Sequence, residues 1–106
     1  MVAMHAAALR FELLVPESHS LKAKRAAVRP IVDGLRHKFH LSVAEVDHQD
    51  TWQRAALAVA AVAPTAGRLG EVLERVERYV DAAPGVELLD TERAELLPAD
   101  GGLEAW

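Results

Sequence analysis

The chain has 106 residues, which suits one domain and is too short for two of ordinary size. Apolar residues make up 51% of the sequence but aromatic residues only 5%, so the core has to be built mainly from Ala, Val and Leu. The absence of Cys excludes disulfides, thiolate zinc sites and Cys nucleophiles, and a formal net charge of −4 excludes attraction of nucleic acid by bulk charge.

The N-terminal segment predicts a strand over about residues 2–15. Large apolar residues at Leu9, Phe11 and Leu13 alternate with smaller or polar ones, and this period of two gives the strand one strongly apolar face. The segment lacks the basic start of a signal peptide and is too short to cross a bilayer. We therefore expect no targeting segment, no membrane partner and a cytoplasmic location.

A helix is predicted over about residues 21–39, with Ser20 as its N-cap. Apolar residues recur along one side of it at helical spacing, at Leu21, Val28, Ile31, Val32, Leu35 and Phe39. Pro30 lacks a backbone N–H and crowds the carbonyl of Ala26, which interrupts the hydrogen-bond ladder. Because the apolar stripe stays in phase across Pro30, we expect one kinked helix rather than two.

Two strands are predicted next, over about residues 41–47 and 54–63, and a polar connection joins them. Thr65 caps a second helix over about residues 66–82, whose apolar positions are spaced three and four apart. The last predicted strand covers about residues 86–97.

The order strand–helix–strand–strand–helix–strand predicts a ferredoxin-like α+β sandwich. Its four-stranded antiparallel sheet has the spatial order 4-1-3-2, and both helices lie on one face. We assign residues 1–97 to this single domain and residues 98–106, which include the pair Gly101-Gly102, to a flexible C-terminal tail. The predicted core consists of Leu9, Phe11, Leu13, Val32, Leu35, Phe39, Leu57, Val59, Leu73 and Val76.

The third predicted strand is apolar on both of its faces. Leu57, Val59 and Ala61 alternate there with further alanines, and the first strand has Ala6 and Ala8 on its second face. A sheet face that meets only water usually carries more polar residues. Either a second copy of the chain covers this open face, which predicts a homodimer, or alanine is simply tolerated there.

Two polar segments, residues 16–25 and 45–54, are expected to meet at one end of the sheet. Loops at one edge of a rigid sheet are where function usually concentrates. The candidate residues at this polar end, with no role assigned, are His19, Lys24, Glu45, Asp47, Asp50 and Arg54. We expect Lys24 to reach the hairpin and pair with Glu45, Asp47 or Asp50, either as a structural contact or as part of a ligand site.

The segments SLKAKR, residues 20–25, and VAEVDHQDTWQR, residues 43–54, resemble the YlxP-like family of small bacterial proteins of uncharacterised function. The resemblance runs from about Ala8 to Val80. The chain departs from the family at Ala23, a position that is often acidic there, so a potential capping box with Ser20 is lost. The resemblance implies a ferredoxin-like fold and a genomic setting beside genes for translation initiation factor two and ribosome-binding factor A.

Four cations form a stripe along the first helix. At about 100° per residue, Lys22, Arg25, Arg29 and Arg36 fall within roughly 60° of arc. Such a line could follow an RNA backbone with a steep dependence on salt, and the other reading is a solvated helix face that covers the core edge. His48 and Trp52 at the neighbouring hairpin would add local contacts, with base stacking or anchoring of the hairpin as the two readings for Trp52.

The polar end also contains residue types that bind metals. His19, Asp47, His48 and Asp50 are acceptable ligands, but their spacing matches no zinc or non-haem iron signature. Adjacent residues in a strand point to opposite faces, which separates Asp47 from His48. The sequence also has no P-loop, dinucleotide fingerprint or nucleophile elbow. We therefore predict no metal site, no cofactor and no catalytic residue.

Three functions follow, in order of support. The first is a non-catalytic binding module that contacts ribosomal RNA or a ribosomal subunit, through the basic stripe and in the setting that the family resemblance implies. The second is a small-molecule-binding regulatory module built on a ferredoxin-like dimer, which depends on analogy of fold. The third is an enzyme with a carboxylate and histidine site at the polar end.

Overall fold

The computed structural model describes residues 4–96. Its elements, in chain order, are strand β1 (His5–Leu14), helix α1 (Leu21–Phe39), strands β2 (Ser42–Asp47) and β3 (Arg54–Ala63), helix α2 (Ala66–Asp81) and strand β4 (Glu87–Leu96). All six predicted elements are confirmed. The predicted start of β1 at residue 2, the predicted end of β4 at residue 97 and the predicted tail at residues 98–106 lie outside the described residues.

The strands lie in the order β2-β3-β1-β4, and each neighbouring pair is antiparallel. This is the predicted order counted from the other edge, so the ferredoxin-like α+β fold is confirmed. In the centre of the sheet, Phe11 of β1 pairs with Leu57 of β3 on one side and with Thr91 of β4 on the other. The outer strands are therefore β2 and β4.

The core lies between the sheet and the two helices. The side chains of β1 and β3 that face the helices are buried, together with Leu35 of α1 and Leu73 of α2. The prediction that Val32 and Phe39 are core residues was wrong, because both are only half-buried and pack against the buried core from its edge. Val32 faces a groove beside α1. Phe39 lies in the last turn of α1, where its ring meets the Tyr79 ring edge-on with 5.3 Å between ring centres.

Both predicted helix caps are confirmed. The Ser20 hydroxyl accepts a hydrogen bond from the Ala23 N–H at 3.0 Å, and the Thr65 hydroxyl accepts one from the Arg68 N–H at 3.1 Å. Helix α1 is continuous through Pro30, as expected for one helix rather than two. These caps fix the residue at which each helix begins. The cap at Ser20 therefore fixes the position of the α1 N-terminus beside the hairpin.

Helices α1 and α2 approach each other closely at Gly34. A Cβ atom at this position would overlap the Tyr79 hydroxyl of α2. Glycine weakens a helix interior because it has the most backbone entropy to lose. Here the missing side chain is what allows the Tyr79 ring to lie against α1.

Candidate functional site

Helix α1 holds the β2–β3 hairpin through Lys24. The Lys24 side chain is buried, although lysine is almost never fully buried without partners. Its ammonium group donates to the Glu45 carboxylate at 3.4 Å and to the backbone carbonyls of His48 at 2.7 Å, Gln49 at 3.3 Å and Arg54 at 3.3 Å. Lys24 therefore pairs with Glu45, one of the three carboxylates that the sequence offered. Its other partners are backbone carbonyls, not the carboxylates of Asp47 or Asp50.

The hairpin turns sharply at His48, whose φ of 63° places it in the left-handed region. The Asp47 carboxylate accepts a hydrogen bond from the His48 N–H at 2.7 Å, and the His48 carbonyl accepts one from the Thr51 N–H at 3.0 Å. The prediction that Asp47 and His48 point to opposite faces was wrong, because the left-handed residue ends the strand alternation. The His48 imidazole lies 4.0 Å from the Asp47 carboxylate.

Five charged or titratable side chains form an ionic cluster on the sheet face away from the helices: Arg10, Glu12, Asp47, His48 and Arg54. Glu12 is at its centre. Its carboxylate accepts hydrogen bonds from Arg54 Nη2 at 2.6 Å and from Arg10 Nη1 at 3.0 Å, and it lies 2.7 Å from His48 Nε2. Arg10 also lies 3.6 Å from Asp47. The cluster joins β1 to the hairpin across the width of β3.

The environment of Glu12 favours its charged form. Burial of the carboxyl group opposes ionisation, but hydrogen bonds from Arg54 and Arg10 and the charge of His48 outweigh it, so the pKa of Glu12 lies below its ordinary value of 4.5. Glu12 is therefore a carboxylate at neutral pH. It holds its cationic neighbours in place and is a poor general acid.

Sequence reasoning missed Glu12 and Arg10 as members of a cluster. The sequence pattern that could have indicated the cluster is that both are polar residues on the otherwise alanine-rich face of β1. Leu14 pairs with Arg54, and Ala56 pairs with both Glu12 and Asp47, which brings the charges together. Only the pairing register of the strands shows that these charged side chains lie together.

The four predicted cations, Lys22, Arg25, Arg29 and Arg36, are all exposed on α1. Arg25, Arg29 and Arg36 line one shallow groove, which is bounded by Glu45 of the outer strand β2 and also contains Asp33 of α1. Arg36 donates a hydrogen bond to the Val43 carbonyl of β2 at 3.1 Å, which holds its guanidinium over the groove. Lys22 lies beside Arg25 and Arg29 on the outer side of the helix.

Charge is segregated across the fold. Six of the 12 Lys and Arg residues lie on α1, which carries a single carboxylate at Asp33. Strand β4, at the opposite edge of the sheet, carries four carboxylates and one Arg: Glu87, Asp90, Glu92, Glu95 and Arg93. The net charge of −4 is therefore an average over the chain, in which one helix is strongly basic and one outer strand is acidic.

Trp52 lies at the tip of the hairpin and is 53% exposed. It borders an open depression together with His19, Asp50, Thr51 and Gln53. His19 immediately precedes the α1 N-cap, so this depression adjoins the N-terminal end of the basic helix. The His48 imidazole lies on the other side of the sheet, in the ionic cluster. The structure thus places Trp52 beside the start of α1, whereas the His48 side chain lies against Glu12 on the open side of the sheet.

Buried polar side chains at the site are paired within the protein, and the other polar side chains reach solvent. Within residues 4–96, every buried side-chain nitrogen or oxygen has a hydrogen-bond partner. In the same part of the chain, no three His, Asp or Glu side chains are grouped in a way that could hold a metal ion. Neither α1 nor α2 is long and apolar enough to cross a membrane. The exposed cations and the exposed Trp52 ring are among the groups that a partner could contact.

The chain is similar to a known family and to a curated protein of a bacterium. The model of a family described as "Protein of unknown function (DUF503)" matches residues 6–93. The uncharacterized protein YlxP of Bacillus subtilis (strain 168) is 36% identical over 76 residues, which is 72% of this chain and 83% of that protein. The family match includes the basic helix and the hairpin that the sequence singled out.

Several solved structures share the fold. The de novo designed protein Foldit4 matches 89% of this chain and 97% of its own length, with a TM-score of 0.53 and 10% identity. The Bacillus subtilis YXEP protein, a dinuclear metal binding peptidase from the M20 family, matches 88% of this chain with 26% of its own length, at a TM-score of 0.55 and 13% identity. At these identities the likeness is one of fold alone.

Proposed function

The chain belongs to the DUF503 family, and we propose that it is a non-catalytic module that binds structured RNA, with a ribosomal particle as its target. The observation that carries the proposal is the groove along α1, in which Arg25, Arg29 and Arg36 project side by side. The bound RNA would lie along the helix with its phosphates against these guanidinium groups.

The spacing of the cations suits a phosphate backbone. At about 1.5 Å per residue, Arg25 and Arg36 are separated by about 16 Å along the helix axis, which is long enough for several phosphates. Arginine presents a planar fork of donors that matches phosphate oxygens two at a time. The three arginines can therefore contact successive phosphates of one strand.

The two carboxylates in the groove weaken its attraction for phosphate. Asp33 and Glu45 lie among the arginines and repel phosphate, and the protein as a whole is negatively charged. Binding is therefore local, of modest affinity, and steeply reduced by salt. Such a surface needs a target that is already shaped, and a folded ribosomal RNA meets this requirement.

Trp52 extends the surface beyond the N-terminal end of α1. Its exposed ring can stack on an unpaired base, which is how aromatic side chains commonly bind RNA loops and single strands. The genomic setting implied by the family resemblance supports a ribosomal particle as the RNA source and the cytoplasm as the location. No reacting group is needed for this function, which fits a protein that is not an enzyme.

The test is sedimentation of the purified protein with ribosomal subunits, and with fragments of structured ribosomal RNA, at low and high salt. We expect the protein to pellet with the particles at low salt and to be released as salt rises. Addition of RNA should quench the fluorescence of the Trp106→Phe variant, which retains Trp52, more than that of the Trp52→Phe variant. If no salt-sensitive association with either target is found, the proposal is wrong.

A further inference from the structure

The sheet face away from the helices, called the open face here, is divided into an apolar half and a charged half. In the first row, Ala6 pairs with Val62 on β3 and Leu96 on β4. In the second row, Ala8 pairs with Ala60 on β3 and Ala94 on β4. We call these six residues the apolar half, and the charged half holds the ionic cluster.

The apolar half is open to solvent within the part of the chain that the structure describes. Val62 is 69% exposed and Leu96 is 45% exposed, and Ala8, Ala60 and Ala94 are exposed as well. A contiguous exposed patch of apolar residues over two adjacent rows marks an interaction surface. Between the two larger side chains the surface consists of methyl groups, so it is flat.

We propose that the open face is the interface of a homodimer, in which a second copy packs sheet against sheet about a two-fold axis that runs along β1. A flat face of small side chains fits another flat sheet closely, as in aligned β-sandwich packing. Rotation about this axis keeps the rows in register, so the apolar half of each copy lies on the apolar half of the other. It also places β4 of each copy over β3 of its partner.

The charges of β3 and β4 on the open face favour a second copy as the occupant. In the charged half, the cations Arg10 and Arg54 lie on β1 and β3, whereas β4 carries Asp90 and Glu87. These two carboxylates are in the rows of Glu12 and Leu14, the same rows that hold the ionic cluster. The rotation about β1 therefore brings Glu87 of each copy opposite Arg54 of the other copy, so β3 and β4 are complementary across the interface. Arg10 and Glu12 lie on the axis and face their own counterparts, each pair already joined by an ion pair within its copy.

The size of the face suits a weak dimer. With about 3.3 Å per residue and about 4.8 Å between strands, the three strands that overlap, β3, β1 and β4, give a contact of about 33 by 14 Å. Two such faces together bury about 900 Å², below the size of standard stable interfaces and within the range of transient ones. We therefore expect a dimer that dissociates on dilution. Both α1 helices face outward in it, so the basic stripes stay exposed, and the dimer does not depend on the proposed RNA binding.

The first test is the mass of the full chain by analytical ultracentrifugation over a dilution series, with twice the 11.5 kDa of one chain expected at high concentration. Ala60→Lys places a charge in the apolar half, where it is tolerated in a monomer but buried in the dimer, and should shift the protein to monomer. The matched control, Ala82→Lys, adds the same charge at an exposed Ala outside the open face and should leave the dimer intact.

A second test does not depend on how Ala60→Lys folds. The chain has no Cys, so Ala8→Cys introduces a unique thiol beside the proposed two-fold axis, and Ala82→Cys introduces one far from it. A short bismaleimide should link Ala8→Cys into a covalent dimer and leave Ala82→Cys monomeric. A wild-type monomer at every concentration overturns the proposal, and so does a dimer in which Ala8→Cys is not cross-linked.

Discussion

The Lys24 ammonium group lies 2.7 Å from the carbonyl oxygen of His48, and this contact joins the basic helix to the polar hairpin. The same ammonium group binds the carbonyls of Gln49 and Arg54, so a single buried side chain orders both ends of the connection between β2 and β3. Trp52 lies inside that connection. The position of its exposed ring relative to the arginines of α1 therefore depends on Lys24.

Replacing Lys24 with Met should destabilise the protein by about 2–4 kcal/mol, because it leaves the hairpin carbonyls and the Glu45 carboxylate without their shared donor. Chemical denaturation measures this change. Lys22→Met is the matched control, since Lys22 is exposed and its loss should change the free energy of unfolding by less than about 0.5 kcal/mol. Equal effects of the two substitutions would show that Lys24 has no anchoring role.

Replacing Glu12 with Gln should cost about 1–2 kcal/mol at neutral pH, because the ionic cluster loses its central charge. The pKa of Glu12 is lower in the folded protein than its ordinary value of 4.5, so its contribution is present above that value and is lost as pH falls through the folded pKa. Unfolding free energies of the two proteins should therefore converge as pH falls from 4.5 through the lower, folded-state pKa of Glu12. A constant difference across that range would contradict the assignment.

Replacing Gly34 with Ala should destabilise the protein by about 1–3 kcal/mol, although alanine is the better helix former. The added methyl group would meet the Tyr79 hydroxyl and push the two helices apart. Because the cause is a contact, the same substitution in a Tyr79→Ala background should cost much less. Thermal unfolding of the four proteins measures this difference, and strictly additive effects would contradict it.

The alternation of apolar residues in β1, the stripes of the two helices and the capping residues Ser20 and Thr65 were enough to predict the fold. Each of these signals is local, and the order of elements leaves few topologies. Lys24 was also predictable, since a lysine on the apolar side of a helix has to find a partner nearby.

The ionic cluster could not be predicted in the same way. Its central residue, Glu12, meets Arg54 only because of the register between β1 and β3, which no local pattern reveals. The left-handed conformation of His48 also lies outside what strand alternation can predict, and it moves the imidazole from the basic stripe to the open face. The half-buried state of Val32 depends on the groove left between α1 and β2.

The central claim is that the arginines of α1 contact RNA phosphates, and the measurement that tests it most directly is the slope of log affinity for ribosomal RNA against log salt concentration. For Arg25→Ala with Arg29→Ala, we predict a slope that is shallower by about two units, one for each lost phosphate contact, with stability nearly unchanged. The control with Arg68→Ala and Arg78→Ala removes the same charge from exposed positions of α2 and should retain the wild-type slope. Equal slopes for the two double variants would contradict the claim.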